Sequence, residues 1–113
     1  MQTVIETAAF LGAAKNAGID EEEREALVAM IATNPMAGDV MQGTGGCRKL
    51  RYRKPGMGKS GGYRVISWFG GDDIPVVLLT VFGKNERANL SKAERNALAK
   101  LTGQLRDSLR KKR

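Results

Sequence analysis

The spacing of apolar residues changes period along this chain, and each change marks an element. Residues 2–5 read as a short first strand. From Thr7 onward Ala9, Phe10, Ala13, Ala14 and Ala17 recur at helical spacing, until Gly18 closes the segment. Asp20 then precedes three glutamates, with Glu23 three positions on as in a capping box. Those acids suit the positive end of a helix dipole. Leu27, Val28, Met30 and Ile31 form the apolar side of this second helix. It stops at Asn34-Pro35, because proline disfavours helical geometry in the residue before it.

A period of two follows. Across 48–53, Arg48, Leu50 and Tyr52 fall on one face and Lys49, Arg51 and Arg53 on the other. Residues 54–62, KPGMGKSGG, read as a glycine-rich hairpin connection. A second strand over 63–69 and a turn at Gly70-Gly71-Asp72-Asp73 come next. The third strand, 74–82, contains the unbroken run VVLLTV, which predicts burial on both faces. Ser91 and Glu94 then have the spacing of a capping box, and Ala97, Leu98, Leu101, Leu105 and Leu109 continue as a helical stripe. The final RKKR is expected to be a solvated tail. This pattern predicts one α+β domain over 1–113. Two N-terminal helices pack on a twisted antiparallel sheet of three to four strands, and a C-terminal helix completes it.

Charge sharpens that picture. The chain has 113 residues and a net charge of +7, unevenly divided. Residues 1–42 carry two cations against seven acids, whereas 43–113 carry 17 cations against five acids. Arg48, Lys49, Arg51, Arg53, Lys54, Lys59 and Arg64 lie in a span with no acid. A strand that buries one face and lines the other with cations suits a phosphate backbone, RNA above all. A basic protein with no nucleic-acid role is the plain alternative.

The remaining chemistry is narrow. Cys47 is the single cysteine, so an intrachain disulfide is excluded and a reducing cytoplasm is compatible. Arg48 and Lys49 beside it would lower its pKa and favour a nucleophile. The chain has no histidine to serve as its base, so an inert strand-edge thiol is the better reading. Zinc sites and histidine-paired nucleophiles are excluded on the same ground, and no metal or other cofactor is expected. Asp72 and Asp73 read as turn residues. The Gly-Lys-Ser within GMGKSGG lacks the upstream glycine of a nucleotide phosphate loop, since Arg53 stands there, and it precedes a strand instead of a helix. The N-terminus has no basic region before its apolar residues, and no apolar run approaches the roughly 20 residues of a membrane span. RNA cleavage without metal remains open to Lys, Arg, Tyr or Glu. Arginine binds two phosphate oxygens and stays charged, while a lysine among cations is pushed toward its neutral, proton-accepting form. Lys49, Arg51 and Arg64, on adjacent predicted strands, are placed to converge across the sheet.

The ordered motifs GTGGCRKLRYRKPGMGKSGGYRVISWF and PVVLLTVFGKNERANLSKAER resemble the RelE/ParE superfamily of bacterial type II toxins, in particular its HigB-like RelE branch. The resemblance covers nearly the whole chain. It implies a RelE-like fold and a cytoplasmic toxin that enters the ribosomal A site, cleaves the bound mRNA and blocks translation. Lys49 and Arg51 are similar to the paired basic positions of the family's first long strand. Arg64 matches the arginine of its Gly-Tyr-Arg element, and Lys84 the lysine of its Gly-Lys-x-Glu-Arg element. These four are the implied catalytic residues. Arg48, Arg53, Lys54, Lys59, Asn85 and Arg87 are the implied RNA- or ribosome-binding residues. The chain departs from many relatives at Asn85, where they carry a second arginine, and at Ser91, near where some carry a tyrosine. Implied partners are a cognate antitoxin, the ribosome and its mRNA, with room for a higher toxin–antitoxin complex on operator DNA. ParE-like members share the fold yet inhibit DNA gyrase, so an inhibitor and a non-catalytic nucleic-acid binder are the competing expectations.

Overall fold

The computed structural model describes residues 2–53, 62–83 and 90–110. Its elements run β1 (Val4–Glu6), α1 (Ala8–Asn16), α2 (Glu21–Thr33), β2 (Asp39–Val40), β3 (Cys47–Tyr52), β4 (Tyr63–Trp68), β5 (Val76–Gly83) and α3 (Lys92–Arg110). The caps read from the sequence at Asp20 and Ser91 are present, and the structure adds a third at Thr7. Thr7 Oγ1 accepts from Phe10 N at 3.1 Å and donates to Leu78 O at 2.8 Å, which starts α1 and ties it to β5. Asp20 Oδ1 accepts from Glu23 N at 2.8 Å. At α3 the box is reciprocal: Ser91 N donates to Glu94 Oε1 at 2.9 Å, and Glu94 N to Ser91 Oγ at 3.2 Å.

The strands form one five-stranded sheet in the order β1-β5-β4-β3-β2. β2, β3, β4 and β5 pair antiparallel in succession, whereas β1 joins β5 in parallel, Val4 opposite Val76. The expected antiparallel sheet of three to four strands is therefore a mixed sheet of five. β1 answers to the short first strand expected over 2–5, but at three residues it could not announce its parallel partner, and β2, two residues long, is too short for a period-two pattern to announce it at all.

β5 lies inside the sheet, and its side chains are buried on both faces, as its apolar run predicts. Val76, Leu78 and Val81 join Val65 of β4 and Phe10, Ala14, Leu27 and Ile31 of α1 and α2 in one core. Val77, Leu79 and Phe82 join Cys47, Ile66 and Trp68 in a second, against Leu98, Leu105 and Leu109 of α3. The sheet thus separates two helical layers. A register shift between Ile66 and Ser67, opposite Thr80 and Leu78, places the extra residue Leu79 on the α3 side.

Two positions of the predicted α3 stripe are corrected, Ala97 being exposed as well as Leu101. Leu101 is exposed and Thr102 is fully buried in its place. The Thr102 hydroxyl lies 2.9 Å from Thr44 O and 3.0 Å from Ala99 O, so the inward position goes to the residue that can donate to a loop carbonyl. On α2 Met30 is likewise exposed, while Leu27 and Ile31 fill the core.

Candidate functional site

The pairing of β3 with β4 sets Arg51 directly opposite Arg64, and Lys49 opposite Ile66. Because strand side chains alternate, Lys49, Arg51 and Arg64 share one face, the face that α3 covers further along through Cys47, Ile66 and Trp68. Directly opposed side chains have β-carbons about 4.5–5.5 Å apart, where like charges destabilise a sheet. Among the described residues no acidic side chain pairs with Arg51 or Arg64. Arg51 is exposed, and Lys49 and Arg64 are half-buried. Next to Arg64 on β5 stands Phe82, 4% exposed, which gives the inner arginine an apolar wall. Such a cluster is chemically suited to an anion that offers several oxygens at once.

The opposite face braces the strands. Tyr52 and Tyr63, also directly opposed, stack with ring centroids 6.5 Å apart and planes at 24°. Arg48 lies on this second face, half-buried, with Nη1 donating to Met36 O at 3.1 Å and to Gly38 O at 3.2 Å. It holds the segment leading into β2 and stands apart from the three cations it neighbours in sequence. Arg53 follows β3 and is exposed. Lys54, Lys59, Lys84, Asn85 and Arg87 lie outside the described residues, although β5 brings Gly83, one position before Lys84, opposite Tyr63.

Glycines make the close approaches. Gly38 has φ +92°, and a β-carbon there would fall 2.6 Å from Lys49 O, so glycine is what lets β2 lie against β3. In the 42–46 turn the hydrogen-bonding groups face inward. Thr44 Oγ1 donates to Met41 O at 2.6 Å and accepts from Cys47 N at 3.1 Å. Gly45 O accepts from Trp68 Nε1 at 3.3 Å and from Arg106 Nη2 at 3.2 Å, with the Arg106 guanidinium 5.7 Å from the Trp68 ring centre. These bonds give GTGG a structural role that binds α3 to the sheet.

Cys47 differs from its expected place. It is wholly buried in the second core, and burial pushes its thiol pKa up to about 11, only partly offset by a hydrogen bond with Thr44. Arg48 points to the other face and leaves it no cationic activation. A thiol this protonated and this hidden is packing, not a nucleophile.

Two residues beside the cations went unseen in the sequence. Asp39 of β2 is directly opposite Lys49, and Arg95 of α3 lines the same cavity as Lys49 and Asp39. Asp39 sat between segments of unclear structure, and Arg95 was one charge among many on a helix. Only folding brings 39, 49 and 95 together. With this geometry in place, the comparison with known proteins is direct: a family model described as the RelE toxin of the RelE / RelB toxin-antitoxin system matches residues 2–112.

Proposed function

The chain belongs to the RelE toxin family, a toxin with a cognate antitoxin, and from that premise we propose that it is a metal-independent, ribosome-dependent mRNA endonuclease of the HigB-like branch. The observation that carries this reading is the cross-strand pair Arg51–Arg64, which has no acidic partner among the described residues, with Lys49 two residues along on the same face. A sheet that tolerates two opposed guanidiniums beside an apolar wall is arranged for a multivalent anion. In cleavage through the ribose, the 2′ oxygen attacks phosphorus as its proton leaves, and the 5′ oxygen departs with a proton. Arg51 and Arg64 offset the added negative charge of the phosphorane. Lys49, on the same face as Arg51 and Arg64, is the candidate for proton transfer, and Lys84 is the second candidate. Arg53, Lys54, Lys59, Asn85 and Arg87 are proposed to extend the contact to RNA or ribosome, and Arg48 to act by holding β2. The ribosome supplies the alignment that so small a site lacks, which places the activity in the cytoplasm.

The test is incubation with translating ribosomes and a defined mRNA. Cuts in register with codons in the A site are expected from the wild-type protein and not from Arg64→Ala. Gyrase-dependent DNA breaks without RNA cuts would replace this reading by the ParE-like one. Neither activity would leave a non-catalytic binder.

A further inference from the structure

Beside the three cations the structure has a groove. One cavity of about 330 Å³ is lined by Asp39, Val40, Met41, Gln42, Lys49 and Arg95. A second, about 500 Å³, shares Gln42 and Arg95 and continues past Lys92 and Asn96. Both volumes lie in the range of small-ligand pockets, roughly 300–1,000 Å³. The groove runs between the β2–β3 edge and the first turns of α3, and Lys49 belongs to it and to the basic face alike. Arg95 divides it. The residue is half-buried, and its Nε is shielded from solvent with no hydrogen-bond partner among the described residues. A buried guanidinium N–H without an acceptor is costly, and a phosphate or carbonyl oxygen would satisfy it.

We propose that this groove seats one nucleotide of the RNA next to the scissile phosphate, with Arg95 on its phosphate and Asp39 and Gln42 on its base edge. The inference rests on RNA being the ligand of the basic face, and it adds a specificity site to it. The lining suits a nucleotide better than an acidic peptide. Buried Met41 and the apolar rim residue Val40 meet the flat, weakly polar face of a base. Asp39 repels a carboxylate or a phosphate but accepts from an amino or ring N–H of a base, as carboxylates do from the cytosine amino group. Gln42 can both donate and accept. Asp39 is held at this point by the β2–β3 pairing that Gly38 permits. Lys49 and Arg95, on opposite walls of the cavity, hold the sugar-phosphate chain on the strand side and the helix side.

Titration of the full-length protein with three-nucleotide RNAs of uniform base, one each of A, C, G and U, tests this through backbone amide resonances. The expected result is RNA-induced shifts at Gln42 and Arg95 together with Lys49 and Arg64. Arg95→Ala should weaken every RNA by roughly 10-fold or more, the loss of one charge-assisted bond, and Arg95→Lys should restore part of it. Asp39→Asn should change the order of preference among the four RNAs, and in ribosome assays shift the codons at which cuts fall. Shifts confined to the β3–β4 cations, or Arg95→Ala binding like wild type, would overturn the proposal. So would a groove that responds only to antitoxin peptide. The nuclease reading is judged separately: cutting by wild type with a silent groove refutes the groove alone, and RNA in the groove without cutting refutes the nuclease alone.

Discussion

Arg64 faces Arg51 across the sheet, so each charge raises the cost of the other. Removing Arg64 should therefore separate activity from stability. Arg64→Ala is expected to lower cleavage on the ribosome by about 10²–10³-fold, the loss of one charge-stabilising donor, while thermal unfolding shows a midpoint no lower than wild type. Full cleavage by a folded Arg64→Ala protein would remove the assignment. Lys49 is tested by a milder change. Lys49→Arg keeps the charge but cannot give up its proton near neutral pH, so cleavage should vanish and ribosome binding persist. Joint loss of both would make Lys49 a docking residue. Cys47 carries a prediction of another kind. Its thiol titrates near 9.0 when exposed and at about 11 in the fold. The folded state therefore keeps a proton that the unfolded state loses, and stability falls as pH rises from about 9 to 11. Denaturation midpoints across that window should drop less in Cys47→Ala than in wild type. At neutral pH alkylating reagents should label the thiol only after unfolding.

At the scale of elements, α3 is held by specific polar contacts as well as by its leucines. Thr102 is buried where its hydroxyl meets Thr44 O, Arg106 reaches Gly45 O, and Gly45 has φ +75° with a hypothetical β-carbon that would collide with Thr102 Oγ1. Thr102→Val keeps the shape and removes the donor. It should cost about 1–3 kcal/mol in chemical denaturation, as expected when a buried carbonyl loses its partner. Thr102→Ser should recover much of that. An unchanged midpoint for Thr102→Val would show that the apolar contacts of Leu98, Leu105 and Leu109 hold the helix alone. The residue signal here was faint, because a lone threonine in a leucine stripe reads as a surface position.

The whole molecule places Lys49, Arg51 and Arg64 on a sheet whose other face and far end are packed under helices, so strand pairing holds these three charges close together. The net charge of +7 implies long-range attraction to polyanions. Association of the toxin with ribosomes should weaken steeply as salt rises, in proportion to the number of phosphates contacted. Arg51→Gln should reduce that slope, whereas a flat salt dependence would mean that the basic face is not the contact. Among the described residues no helix is long and apolar enough to cross a membrane.

Local chemistry along the chain was enough to set the caps at Asp20 and Ser91, the alternation that puts Lys49 and Arg51 on one face, and the doubly buried β5. Each depends on residues a few positions apart, so a period or a cap can be read without knowing the partner. The ordered motifs likewise carried the family, because their sequence is long and specific. What tertiary structure decided depends on distant residues. The parallel partner of β1, the fifth strand, the exact opposition of Arg51 to Arg64, the inward turn of Thr102 and the burial of Cys47 all involve pairings across many residues. Arg48 and Lys49 are neighbours in sequence, yet one braces β2 and the other meets Asp39 and Arg95. Adjacent strand residues point to opposite faces, and only the packing of helices on those faces determines which charge braces a neighbouring segment and which lines the cavity beside α3.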